Sequence, residues 1–95
     1  MIRNKEFEII SISDDYMAVP VGEKANTFKG VIALSEAAAY LLSHMEHDRS
    51  KEDLIALLIT EFDVTESIAK KDIEMFIDRF SQLGLTVNET DGIAQ

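Results

Sequence analysis

The sequence of 95 residues contains no cysteine and no tryptophan, and it has only one proline and four glycines. Without cysteine the chain has no disulfide, no thiolate nucleophile and no cysteine-based metal site. Since there are only two tyrosines and five phenylalanines, the core must be mainly aliphatic. No apolar run approaches the roughly 18 residues of a membrane span, and no apolar signal-peptide core follows the N-terminus. We therefore expect a cytoplasmic protein.

Positive charge is also scarce, because nine Lys and Arg residues stand against 18 Asp and Glu residues, for a net charge of -9. Nucleic-acid binders gain much of their affinity by placing cations on phosphates, so most of this surface would repel a polyanion. A basic or mixed-charge peptide would instead be attracted. With 46% hydrophobic and 28% charged residues, the chain has the composition of a folded protein, and its length fits one domain.

No constellation of residues supports catalysis or a bound cofactor. His44 and His47 are the only histidines and would share one face of a helix, but two imidazoles without a third ligand make a weak metal site. Gly22 and Gly30 are too far apart for a phosphate-binding loop and lack its Gly-Lys-Ser/Thr ending. The sequence therefore predicts a binding protein that is not an enzyme and holds no metal.

The first third of the chain is rich in strand-forming residues. Residues 7–13 and 16–21 predict two strands of a hairpin that turns at Asp14-Asp15. Pro20 cannot donate a ladder hydrogen bond and should lie near a strand end. Residues 22–30 are polar and predict a loop, and residues 31–34 predict a short third strand.

The remainder predicts three helices that cover this small sheet. Ser35 is a good first N-cap, Ser50 with Asp53 forms a capping-box pattern, and Asp63 or Thr65 would cap the third helix. Gly84 would end that helix in the left-handed conformation. The apolar stripes on the three helices are Ala38, Leu41, Leu42 and Met45; Leu54, Leu57, Leu58 and Phe62; and Ala69, Ile73, Phe76, Phe80 and Leu83. The prediction is an α+β fold, with a three-stranded antiparallel sheet followed by three helices, a domain over residues 1–86 and a polar, flexible tail over residues 87–95.

Several segments, in order, resemble one family. Residues 31–42 have its apolar strand followed by Ser-Glu-Ala-Ala and an aliphatic pair. Its acidic turn is matched by residues 48–54 and its aromatic-Asp-Val corner by residues 61–64. Its last helix is matched by residues 69–77 and its Leu-Gly-Leu ending by residues 83–85. Residues 16–22 also fit. In these segments the chain resembles the PqqD-like family, named for the coenzyme pyrroloquinoline quinone synthesis protein D. The resemblance implies a winged helix-turn-helix-like fold that holds the leader of a ribosomally made precursor peptide and presents it to a modifying enzyme, often a radical SAM enzyme.

The resemblance also implies where the leader lies: as an added antiparallel strand along the third strand, beside the third helix. An edge strand with free N–H and C=O groups invites such an addition. The third helix would supply side-chain pockets through residues spaced three and four apart. The predicted peptide-binding residues are Gly30, Val31, Ile32, Ala33, Leu34, Ile68, Asp72, Met75, Phe76 and Arg79.

Two other functions fit the same order of elements. One is a winged-helix DNA-binding protein with residues 65–83 as its recognition helix, which the negative charge disfavours. The other is a structural subunit or weak homodimer that uses the free sheet edge against another chain.

Overall fold

The computed structural model describes residues 1–87 of the chain, and the predicted tail at residues 88–95 lies outside them. Residues 1–87 form five strands and four helices: β1 (Ile2–Arg3), β2 (Phe7–Ile12), β3 (Asp15–Pro20), α1 (Lys24–Thr27), β4 (Ile32–Leu34), α2 (Glu36–Ser43), α3 (Lys51–Phe62), α4 (Glu66–Leu83) and β5 (Thr86–Val87). The predicted α+β fold is confirmed. Its sheet has the order β2-β3-β4 with antiparallel neighbours.

The hairpin between β2 and β3 turns one residue earlier than predicted. Ile12 pairs with Asp15, so the two-residue loop is Ser13-Asp14 rather than Asp14-Asp15. Ser13 adopts a φ of 57°, the left-handed conformation that short hairpin loops need. Pro20 is the last residue of β3, where its missing N–H costs the ladder little.

The segment between Gly22 and Gly30, predicted as a loop, contains the single helical turn α1. Gly22 has a φ of 61°, which a residue with a side chain rarely adopts. Immediately after α1, the Phe28 ring meets the buried Phe7 ring edge-on, with centroids 5.4 Å apart. This contact fastens the segment to the sheet, although its polar sequence has no helical periodicity.

Helix α2 begins as predicted and ends earlier. The Ser35 Oγ accepts the Ala38 N–H at 3.1 Å, which satisfies one of the unpaired donors of the first turn. The helix stops at Ser43, with His44 as its C-cap. The prediction that Met45, His44 and His47 continue the helix is therefore wrong: Met45 is fully buried but lies beyond the last turn.

The ends of α3 and α4 match the sequence prediction closely. Ser50 and Asp53 form a reciprocal capping box at the start of α3. The Thr65 hydroxyl accepts the Ile68 N–H at the start of α4, and Gly84 ends α4 with a φ of 76°. Asp63 instead ends α3 in the left-handed conformation, so the two helices meet across a corner of three residues.

A single core joins the sheet to the helices. Helix α2 contacts all three strands of the larger sheet, and α3 packs against α2 and α4. The fully buried side chains with the largest volumes are Phe7, Leu41, Leu42, Met45, Ile73 and Leu85. No helix within residues 1–87 is both long enough and apolar enough to cross a membrane.

The N-terminal residues fasten the far end of α4, which the sequence did not predict. Strands β1 and β5 pair antiparallel, so that Val87, assigned to the tail, lies opposite Ile2. The Asn4 side chain donates to the Gly84 carbonyl at 2.9 Å, and the Arg3 N–H donates to the Met45 carbonyl at 2.9 Å. The N-terminal ammonium also forms an ion pair with Asp48.

Candidate functional site

Strand β4 forms one edge of the larger sheet. Within residues 1–87 its partner is β3, through Tyr16–Leu34, Met17–Ala33 and Ala18–Ile32, and no strand covers its other side. Ile32 and Leu34 are half-buried, whereas Ala33 is exposed, because alternate side chains of a strand point to opposite faces. The unpaired backbone groups of β4 are therefore available to an added strand.

A groove of about 220 Å³ runs between this edge and α4. Buried Phe80 and Ala38 belong to its lining, and Ile32 and Leu34 contribute the side of β4. The groove is lined by Ile32, Ala33, Leu34, Ser35, Ala38, Phe76, Arg79, Phe80 and Leu83. Among the described residues this lining contains one charged side chain, Arg79, so the groove is apolar with a single cation.

One wall of the groove is formed by residues of α4 that recur at helical spacing. Phe76, Arg79, Phe80 and Leu83 are spaced three and four residues apart and therefore stand on neighbouring turns. The Phe76 and Phe80 rings stack with centroids 5.4 Å apart and an interplanar angle of 24°. Phe80 is buried, whereas Phe76 and Leu83 are half-buried. The stacked pair thus extends from the core to the groove and holds Phe76 in place.

The structure brings together five of the ten residues predicted to bind a peptide: Ile32, Ala33, Leu34, Phe76 and Arg79 all line this groove. Gly30 and Val31 lead directly into β4. Val31 is 54% exposed, and Gly30 has a φ of 94° that directs the chain into the strand.

Besides Gly30 and Val31, the three remaining predicted residues lie outside the lining of this groove. Asp72 is half-buried one turn before Phe76 on α4, and Ile68, one turn before Asp72, is exposed. Met75 is 64% exposed and borders a different depression, with Lys51, Lys71 and Glu74 in its lining. Successive residues of an α-helix are about 100° apart, so Met75 and Phe76 face different surroundings.

Four of the six side chains that line the depression beside Met75 are charged. Lys51 Nζ lies 2.8 Å from Glu74 Oε1, and this hydrogen bond, together with the Lys51 charge, holds the pKa of the Glu74 carboxyl below its ordinary value. The ion pair joins the start of α3 to α4. The side of α4 that carries Met75 therefore contacts α3 through this ion pair, whereas the groove beside β4 is lined by other residues of α4.

Sequence reasoning missed Leu83, Phe80, Ala38 and Ser35 as groove residues, because it assigned them to the core or to a helix cap. The available signal was the width of the apolar stripe on α4. Phe76 and Leu83 are half-buried at one margin of that stripe, so the core covers part of each side chain and the rest lines the groove. No group of three or more His, Asp or Glu side chains among residues 1–87 is arranged to hold a metal ion.

Residues 21–85 match the family model described as coenzyme PQQ synthesis protein D (PqqD). The chain belongs to the PqqD family. The matched segment contains β4, α2, α3 and α4, so both sides of the groove lie within the part that defines the family. No curated protein sequence matches the chain.

A solved structure supports the fold of this PqqD-family chain. It is described as TbiB1 in complex with the TbiA(beta) leader peptide. The two structures superpose with a TM-score of 0.68 at 14% sequence identity, over 90% of this chain and 93% of the other. At this identity the likeness shows a shared fold.

Proposed function

We propose that this PqqD-family protein binds the leader of a ribosomally made precursor peptide in the groove between β4 and α4. The leader adds to β4 as an antiparallel strand and takes backbone hydrogen bonds from its free edge. Alternate leader side chains then point into the groove, because strand side chains alternate between faces. The observation that carries the proposal is the apolar groove directly beside an unpaired edge strand.

Two further observations support this function. The chain belongs to the PqqD family, and the TbiB1 structure of the same fold is a complex with a leader peptide. The protein would act without catalysis of its own and present the leader to a modifying enzyme in the cytoplasm. For that enzyme we propose the radical SAM class, on the family resemblance.

The groove also predicts what the leader carries. The lining is apolar at Ile32, Leu34, Phe76 and Leu83, which suits an aliphatic or aromatic side chain. Arg79 is exposed at the same groove and would pair with a carboxylate of the leader. A leader with an apolar residue and an acidic residue that both reach the groove is therefore the best match.

The decisive experiment is fluorescence polarisation with the labelled leader of the precursor encoded beside this protein. We expect saturable binding at micromolar concentration or tighter, and loss of binding when the leader sequence is scrambled. Arg79→Ala should weaken binding by about tenfold, as for a charge-assisted contact at an interface. Lys70→Ala removes an exposed cation from the same helix and is the matched control.

Equal leader affinities of the Arg79→Ala and Lys70→Ala proteins would show that Arg79 does not contact the leader. Absence of leader binding by the unaltered protein would refute the proposed function. In that case light scattering would test the remaining use of the β4 edge, which is pairing with a second copy of the chain.

A further inference from the structure

A second groove lies at the opposite edge of the sheet, beside β2. It has a volume of about 260 Å³ and lies where α2 and the end of α3 meet the hairpin. It is lined by Ile9, Ile10, Ser11, Tyr16, Glu36, Ala39, Tyr40, Ser43, Glu61 and Phe62. It shares no lining residue with the groove beside α4, although Tyr16 and Glu36 also line a depression that reaches Ala33 and Leu34 of β4.

Three of the ten residues that line this groove are aromatic: Tyr16, Tyr40 and Phe62. The Tyr40 and Phe62 rings meet edge-on, with centroids 5.5 Å apart and an interplanar angle of 86°. Both side chains are half-buried, as is Tyr16, which lies on the inner face of β3. Faces of tyrosine and phenylalanine rings carry negative charge density and attract cations.

Two carboxylates complete the groove. Glu36 in the first turn of α2 and Glu61 in the last turn of α3 are both exposed. Within residues 1–87 neither forms an ion pair, and the groove lining has no Lys, Arg or His. The pocket therefore combines aromatic walls with unneutralised negative charge, whereas the groove beside α4 is apolar with a single cation.

We propose that this second groove binds an arginine side chain of a protein partner. A guanidinium is flat, stacks on aromatic faces and donates hydrogen bonds in a fork that suits carboxylates. Arginine is also less strongly hydrated than lysine, so it loses less on entering a half-buried groove. The net charge of -9 favours the approach of such a basic partner.

This inference does not rest on leader binding, since the two grooves share no lining residue. The β2 groove uses Glu36, Ala39 and Tyr40 of α2, whereas the leader groove uses Ala38. It assigns the protein two contact sites that carry charges of opposite sign. One partner can occupy the β4 edge while another is held through its arginine at the β2 side.

The test is a two-dimensional ¹H–¹⁵N NMR titration of the full chain with Nα-acetyl-arginine amide, at low salt and pH 7.5. The His44 ring lies against Tyr40, with centroids 4.3 Å apart. We expect saturating shifts centred on the amides of Ser11, Tyr40 and Phe62. Glu61→Gln should weaken the binding by about threefold or more, the range of one exposed charge contact.

Two controls make the outcome decisive. Nα-acetyl-citrulline amide has nearly the same shape without the charge and should cause no saturating shifts. Glu52→Gln removes an exposed carboxylate from the same helix and should leave the titration unchanged. Equal shifts with citrulline, or equal effects of the Glu61→Gln and Glu52→Gln substitutions, would overturn the proposal. Leader affinity should be the same for the Glu61→Gln and unaltered proteins, so failure here is distinguishable from failure of the leader site.

Discussion

At the scale of single residues, two neighbours on α4 show what decides a binding surface. Phe76 stacks on buried Phe80 and lines the groove, whereas Met75 is largely exposed beside the Lys51–Glu74 ion pair. Both were predicted to bind the peptide, Met75 from its spacing along the helix and Phe76 as a residue that also belongs to the apolar stripe of α4. Spacing indicates which residues share a face, but the partner that each face meets depends on how the helix is rotated against β4.

Replacement of these two residues tests the position of the site. We expect Phe76→Ala to weaken leader binding by about tenfold or more, since truncation of an aromatic anchor in a pocket typically costs about 2 kcal/mol or more. Met75→Ala should change the affinity by less than about twofold. Both are measured by fluorescence polarisation well below the melting temperature, because Phe76 also contributes to stability. A larger effect of Met75→Ala would extend the site toward Ile68 and Asp72.

The capping box of α3 gives a second prediction for a single residue. The Ser50 backbone N–H and the Ser50 hydroxyl hydrogen-bond to Asp53 and hold the pKa of its carboxyl below the ordinary value. A carboxyl with a lowered pKa in the folded protein stabilises it above the pKa of the unfolded chain. That contribution disappears as the pH falls through the folded pKa.

Thermal unfolding of the unaltered and Asp53→Asn proteins between about pH 6 and 2 checks this sign. We expect the unaltered protein to melt higher near pH 6, and the difference between the two to shrink as the pH falls below about 4. A difference that stays constant down to pH 2 would show that the charge on Asp53 contributes nothing and that the hydrogen bond alone matters.

At the scale of elements, the structure agrees with the sequence where a local rule determines the outcome. Ser35, Ser50 and Gly84 begin or end helices as predicted, because a cap depends on the nearest four residues. The turn α1 and the strands β1 and β5 were not predictable in this way. Strands of two residues have no periodicity, and they form here because Ile2 and Val87 meet through the rest of the fold.

Strand β4 supplies the prediction for this scale. Amide N–H groups along an edge strand alternate between the neighbouring strand and the free side. In the free protein, the N–H groups of β4 that face outward should exchange with solvent quickly. Addition of the leader should slow their exchange and leave the amides of β2 unchanged, as measured by hydrogen exchange with NMR. Protection of β2 instead would place the leader at the opposite edge.

At the scale of the whole molecule, residues distant in sequence close the fold. Asn4 donates to the Gly84 carbonyl from its side chain and accepts the Glu6 N–H at its Oδ1, each at 2.9 Å. These bonds connect the entry into β2 with the end of α4, which carries the groove residue Leu83. The sequence contains no local signal for this contact, because it joins positions 80 residues apart.

We therefore expect Asn4→Ala to lower the free energy of unfolding by about 1–2 kcal/mol, as two lost hydrogen bonds with a partly buried carbonyl would. Asn26→Ala is the matched control, since Asn26 is exposed in α1 and donates its backbone N–H to the Glu23 carbonyl, a bond that the substitution keeps. Chemical denaturation measures both. A loss for Asn4→Ala no greater than that for Asn26→Ala would mean that the closure contributes nothing to stability.

The shortness of β4 has a consequence for how a leader finds its alignment. A strand of three residues offers few backbone bonds, and a guest that slides along it by two residues recovers the same bonds with the same sides facing inward. Backbone pairing alone therefore leaves several alignments nearly equal in energy. In the proposed site, the choice among them would fall to Phe76, Arg79 and Leu83, which would fit one spacing of leader side chains and exclude the next. A precursor would then be recognised by the interval between its anchor residues, and a two-residue insertion between them would abolish recognition while every anchor is still present.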